Sequence, residues 1–157
     1  MKPLASVLLG TLFYFSGLSL FAQEKRVPDL AFIDTENNLF TNRDIPTENP
    51  FMLIYFRTDC DECRHMAQAL KNDAKNYATT IWMVSPNDIE TLSTFEYMTG
   101  LLQEQNIHIL QDNQKKMHQW FNFSSLPFVV LFDKAGNQVA TFTTLPDPKT
   151  VAEKLNP

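Results

Sequence analysis

Cysteine is nearly absent: Cys60 and Cys63 are the only two in 157 residues. That excludes a disulfide-framework protein, because exported scaffolds of that kind use four or more cysteines. A loop as short as this one also restrains the unfolded chain very little, so the pair is not a staple. No cysteine lies near residues 20–26, which excludes lipid attachment through a cysteine at a processed N-terminus. A basic cluster is missing as well. With 13 Lys and Arg against 18 Asp and Glu, the formal net charge is −5, which argues against nucleic acid or an anionic membrane surface as partner. The chain has no internal repeat and no low-complexity stretch.

Charge is also missing from Leu4 to Ala22, between Lys2 and the polar Gln23-Glu-Lys-Arg26. The pattern predicts an export signal over residues 1–22, with Ala22 before the cleavage site and Leu20 a poor match to the preferred small residue. An uncleaved membrane anchor is the alternative, since nineteen uncharged residues come close to spanning a bilayer. Six Ser, Thr and Gly residues dilute that stretch and favour cleavage. Either way the functional part is expected in the periplasm or an equivalent extracytoplasmic space, touching the membrane only if the segment is retained. Removing 1–22 leaves 135 residues of net charge −6. That is room for one domain, over residues 27–157, with a real core.

What is present centres on Cys60-Asp-Glu-Cys63. It closely follows the apolar run Phe51–Phe56 and precedes Met66, Leu70, Ala74 and Tyr77, spaced as one helix face. Strand, Cys-x-x-Cys, helix is the local architecture of a dithiol that cycles between thiol and disulfide. One turn of helix brings the two sulfurs near bonding distance, and the helix-start N–H groups face the first sulfur and favour its thiolate. Cys60 is thus the expected attacking sulfur and Cys63, one turn in, the buried resolving thiol. An inert pair or a metal site is the alternative, but exported tetrahedral Zn sites want four ligands.

The rest of the chain reads as strands and helices in alternation. Val27–Asp34 predicts a short strand, Glu36–Asn38 a turn and Leu39–Thr41 a return strand. Thr80–Ser85 is an apolar run short enough for a buried strand. A helix is predicted after it to about Gln105, with Leu92, Phe95, Met98 or Thr99, and Leu102 on one face. Either Asn87 or a Ser93/Glu96 capping box would start it. Ile107–Leu110 is a candidate strand, and Met117, Trp120 and Phe121 mark a short amphipathic helix. Phe128–Phe132 is a strong strand, Lys134–Asn137 a hairpin loop, Gln138–Thr143 its partner and Asp147–Leu155 a closing helix. The order predicts an α/β sandwich of mixed strand pairing.

Three stretches resemble the exported TlpA/ResA-type branch of the thioredoxin fold. They are Val27-Pro-Asp-Leu with Asp34-Thr-Glu-Asn, then Ile54–Arg64 around the cysteines, then Ser124–Asn137. The resemblance implies a thioredoxin-like fold, a central mixed sheet flanked by helices with an added N-terminal β-hairpin. It implies a thiol–disulfide oxidoreductase without a cofactor, protein disulfides as clients and a membrane protein as electron donor. Pro127 is expected to be cis from the resemblance alone. It would then pack against the dithiol and turn the Leu126 backbone outward, where an extended client segment could add as a strand.

The departures are informative. Asp59 stands where the family usually has Trp, and Asp61-Glu62 where the intervening dipeptide usually holds Pro or Gly. Ile54 and Met66 occupy two positions where relatives carry an acidic residue, so no side chain is an evident base for Cys63. Carboxylates stabilise a helix start by about 0.3–1 kcal/mol each but oppose a thiolate. Asp59, Asp61 and Glu62 are therefore expected to offset the helix-end effect and favour a reductant over a DsbA-type oxidant.

Three rival readings use the same fold. A Sco-type copper chaperone would need three residues between the cysteines and a distant histidine, for which nothing singles out His108 or His118; His65 and His118 are expected at the surface. A non-catalytic binding module would dock partners around Leu126. A thiol peroxidase wants Pro-x-x-x-Thr-x-x-Cys, whereas Leu53 and Arg57 stand at those places here.

Overall fold

Residues 26–46 and 49–156 are described by the structure, a computed structural model. The predicted export signal over residues 1–22 lies outside the described residues, as does Pro157. Among the described residues, seven strands form one sheet: β1 (Ala31–Asp34), β2 (Leu39–Thr41), β3 (Phe51–Tyr55), β4 (Thr80–Ser85), β5 (Ile107–Gln111), β6 (Phe128–Phe132) and β7 (Gln138–Phe142). Their order is β2-β1-β5-β4-β3-β6-β7. The β3–β4 and β4–β5 pairs are parallel, and the remaining pairs are antiparallel. The expected mixed sheet with an N-terminal hairpin is thus what the chain forms.

The central strands β3, β4 and β6 are buried along their whole length, because elements cover both faces of the sheet. Along β3, Met52 and Ile54 point into one core with Met83, Val129 and Leu131; Phe51, Leu53 and Tyr55 point into the other with Trp82, Val130 and Phe132. The two-residue period of a strand makes that division. Helices α1 (Asp61–Asp73), α2 (Ile89–Thr99) and α4 (Pro148–Leu155) cover the first face with Met66, Leu70, Leu92, Phe95 and Val151. The short α3 (Lys116–Trp120) and the N-terminal segment cover the second with Met117, Leu30 and Phe32. Trp82 is the centre of that side, meeting Phe32, Phe40 and Phe51 edge-on at 6.3, 5.7 and 5.1 Å.

Helix α2 departs from expectation at both ends. Neither Asn87 nor Ser93 caps it: Asp88 does, its Oδ1 accepting the Thr91 N–H at 2.8 Å. Gly100, at φ 73°, stops it at Thr99 in the left-handed conformation that glycine adopts freely. Of the two candidates for the inner face, Met98 is exposed and Thr99 half-buried; past Gly100, Leu102, predicted inside, is exposed and Leu101 is buried instead.

Candidate redox site

The site forms where β3 runs out. Phe56 still donates to the Val84 carbonyl at 3.0 Å, so the chain is held to the sheet until one residue before the Arg57-Thr58-Asp59 loop. The loop is tied down from the side: the Thr58 N–H donates to Asn87 Oδ1 at 3.2 Å, and Ser85 Oγ donates to the same oxygen at 2.9 Å. Asn87, an expected helix cap, thus holds the reactive loop instead.

Cys60 is the residue immediately before α1. Its backbone is extended (φ −95°, ψ 119°), and its Sγ accepts the Cys63 N–H at 3.2 Å, where a capping oxygen would sit in most helices. The Cα atoms of Cys60 and Cys63 are 5.2 Å apart and the sulfurs are joined as a disulfide. Cys63 is wholly buried, among Ile54, Met66 and Ala67; Cys60 is only partly buried against the same core. Ile54 and Met66 belong to the same buried apolar cluster as the inner sulfur.

The acidic trio is not three bare charges. Arg57 binds Asp59 through two parallel hydrogen bonds, and that contact holds the Asp59 carboxyl below the usual carboxylate range. Arg64 forms an ion pair with Asp61 and also donates to the Thr58 carbonyl. Glu62 is exposed and forms no ion pair among the described residues. Sequence reasoning missed both arginines, since only the turn of the loop brings Arg57 over Asp59.

The Leu126–Pro127 peptide bond is cis. The pairing of Tyr55 with Phe128 puts Pro127 at the same end of the sheet as the cysteine loop. Pro127 is buried, while Leu126 is half-buried and packs on the core that Cys60 also touches.

Beside Arg57 and Leu126 opens a cleft of about 550 Å3, with Tyr55, His118 and Phe123 among its walls. The His118 and Phe123 rings stack at 4.5 Å, and Tyr55 lies 5.1 Å from Phe123. Burial, and then the nearby Asp112, push the Tyr55 hydroxyl up to about 12. Asp112 itself is 1% exposed. Its carboxylate accepts the Lys116 and Met117 N–H groups at 2.8 and 2.9 Å, which fixes the entry to α3. The signal for it in the sequence was an Asp just ahead of an amphipathic run.

The three histidines lie on different elements: His65 exposed on α1, His108 on β5 against Phe40 at 5.2 Å, and His118 on α3. Burial pushes His108 toward its neutral form. Among the described residues, no group of three or more His, Cys, Asp or Glu is placed to hold a metal ion. Nor is any described helix long and apolar enough to cross a membrane.

Comparison with known proteins agrees with this geometry. A family model described as a thioredoxin-like domain matches residues 45–156. No curated protein matches the sequence. Among solved structures, the thioredoxin domain of a thiol-disulfide oxidoreductase from Bacteroides vulgatus superposes with a TM-score of 0.69 at 20% identity, over 85% of this chain and 97% of that one. A thio-disulfide isomerase from Thermus thermophilus gives 0.67 at 14% identity, over 84% and 93%. A secreted Mycobacterium tuberculosis disulfide oxidoreductase, homologous to DsbE of E. coli, gives 0.64 at 16%, over 81% and 94%. At such identities the likeness is one of fold.

Proposed function

Because this chain belongs to the thioredoxin-like domain family, we propose that it is an exported thiol–disulfide oxidoreductase of the TlpA/ResA type, working as a reductant of protein disulfides. One observation carries the reading: a partly exposed Cys60 at the head of α1 is paired with a Cys63 that solvent does not reach. The reduced protein attacks with the Cys60 thiolate on one sulfur of a client disulfide. A Cys60–client mixed disulfide forms and the other client sulfur leaves as a thiolate, to be protonated. Cys63 then loses its proton and attacks Cys60 Sγ. The client leaves with its second thiol, and the Cys60–Cys63 disulfide remains. Two electrons have passed to the client, and an external dithiol, expected on a membrane protein, must restore them. The two sulfurs carry the whole reaction, so no cofactor is required.

The direction rests on the charges near Cys60. Arg57 and Arg64 offset two of the three carboxylates, so the remaining unpaired acid beside the sulfur is Glu62. A thiolate with that neighbourhood lacks the strong stabilisation of the DsbA type. Its disulfide is expected nearer the thioredoxin value of about −270 mV than the DsbA value of about −120 mV. Equilibration with glutathione buffers, read by alkylation, measures it. Replacing Asp61 with Pro and Glu62 with His should raise the potential by tens of millivolts, in a scale where about 30 mV is 1.4 kcal/mol. A wild-type value near −120 mV would refute the reductant role. In the native host, a Cys63→Ser variant should trap client proteins as mixed disulfides.

A further inference from the structure

We propose that the cleft beside Leu126 is a recognition pocket for an acidic side chain of the client polypeptide, so that disulfides flanked by Asp or Glu are preferred substrates. The proposal rests on the reductase reading above and names the client class for that same site. The chain carries more acid than base overall, with a net charge of −5. Yet none of the residues that line this cleft is acidic. Arg57 and Lys115 stand there with His118, and Ser124 and Ser125 add hydroxyl donors.

Lys115 is the central residue. Among the described residues it forms no ion pair. Its backbone sits at φ 54°, a left-handed conformation that a side chain with a Cβ rarely adopts. The surroundings over-determine that conformation: the Lys115 N–H donates to the Asp112 carbonyl at 3.3 Å, while the Asp112 carboxylate holds the next two N–H groups. A lysine is thereby fixed at the cleft, where Gly or Asn would suit the backbone better. Arg57 already faces Asp59 and contributes less. Of the carboxylates nearby, Asp59 is taken up by Arg57, and Asp112 is buried and turned to the α3 N–H groups.

The cleft also has the right form for a chain segment. Leu126 and Arg57 border it, and the Cys60 N–H donates to the Arg57 carbonyl at 3.3 Å, so cleft and dithiol adjoin. A client strand laid along Leu126 would offer alternate side chains to the cleft. The rings of Tyr55, Phe123 and His118 would take the methylenes of a glutamate, and the lysine and the serine hydroxyls its carboxylate.

The test uses cyclic disulfide peptides with Glu, Gln or Lys at each of the four places before the first cysteine. For the wild-type protein, kcat/KM should favour Glu over Gln at one place by about 1.5- to fivefold, the range of exposed ion pairs, and Lys should be slowest. The preference should shrink as salt is raised. In Lys115→Glu the order should reverse, and in a His118→Gln control it should survive in reduced form. Equal kcat/KM for all three peptides at every place would overturn the pocket while leaving the reductase intact. Peptides with both cysteines replaced by serine read the pocket without redox chemistry. Glu-dependent binding of these, with no turnover of any disulfide, would uphold the pocket and refute the reductase; binding independent of Glu would refute the pocket.

Discussion

Arg57 and Asp59 are locked side chain to side chain, Nε to Oδ1 at 2.9 Å and Nη2 to Oδ2 at 2.7 Å, one residue ahead of the outer sulfur. The pair is solvent-exposed, so its value as a stabilising contact is small. Its placement matters for the sulfur. In Arg57→Gln the Asp59 carboxylate is no longer balanced, the Cys60 thiolate loses a nearby positive charge, and the reduced form weakens. The potential should fall by an amount on the order of 10 mV at low salt, and the Cys60 alkylation rate at neutral pH should fall with it. Equilibration against glutathione for both proteins decides the sign; a more oxidising variant would show that the arginine does not act on the sulfur.

Exposure predicts which sulfur reacts first. After reduction, limiting iodoacetamide should label Cys60 at least tenfold over Cys63, because the latter is wholly buried. Peptide mapping by mass spectrometry gives the ratio. Cys60→Ser should abolish protein-disulfide reduction.

Asn87 holds the reactive loop through Thr58. Asn87→Ala removes that acceptor and leaves a partly buried N–H without a partner, at a cost of about 1–3 kcal/mol. The expected outcome is faster hydrogen exchange at the Thr58 amide and a lower urea midpoint, with the Cys60–Cys63 disulfide still able to form. Unchanged exchange at Thr58 would mean that the loop is held by its own turn.

Asp88 and Asp147 each accept backbone and hydroxyl hydrogen bonds from a threonine three residues on, Thr91 and Thr150, and these contacts hold both carboxyls below the usual range. Their pKa values are lower folded than unfolded, so the unfolded chain binds the extra protons. The stabilisation is complete above the ordinary aspartate range, about pH 4, and is lost as pH falls through the lowered folded values. Urea midpoints measured down through this window should decline. In a double Asp88→Asn, Asp147→Asn variant, which keeps an oxygen acceptor but does not titrate, the decline should be shallower.

The fold was legible because β3, β6 and the middle of β4 are apolar without interruption and a proline stands directly beside each strand. Two cysteines on one helical turn made the reactive centre legible too. What escaped was whatever depended on how loops close. Nothing in the order Ser85-Pro-Asn-Asp says that Asn87 reaches back to Thr58 while Asp88 caps α2. An unbroken helical spacing put Leu102 inside, and Gly100 turned the chain so that Leu101 went in. The acidic dipeptide was plain, but the arginines that face Asp59 and Asp61 lie on a turn and one helical step away. The cleft draws on β3, the α2 approach, α3 and the segment before β6, four parts that no local pattern joins.

The hairpin β1–β2 has a consequence for where this unit can be cut. Strand β1 pairs with β5, and Phe32 and Phe40 close over the Trp82 indole. A fragment beginning at residue 45, where the family match starts, would carry both cysteines and every residue lining the cleft. It would also bare the hydrogen-bonding rim of β5 and a tryptophan face, the two surfaces by which strands of separate molecules find each other. The stretch matched by the family model is therefore shorter than the stretch that completes this sheet, and expression boundaries belong upstream of Leu30.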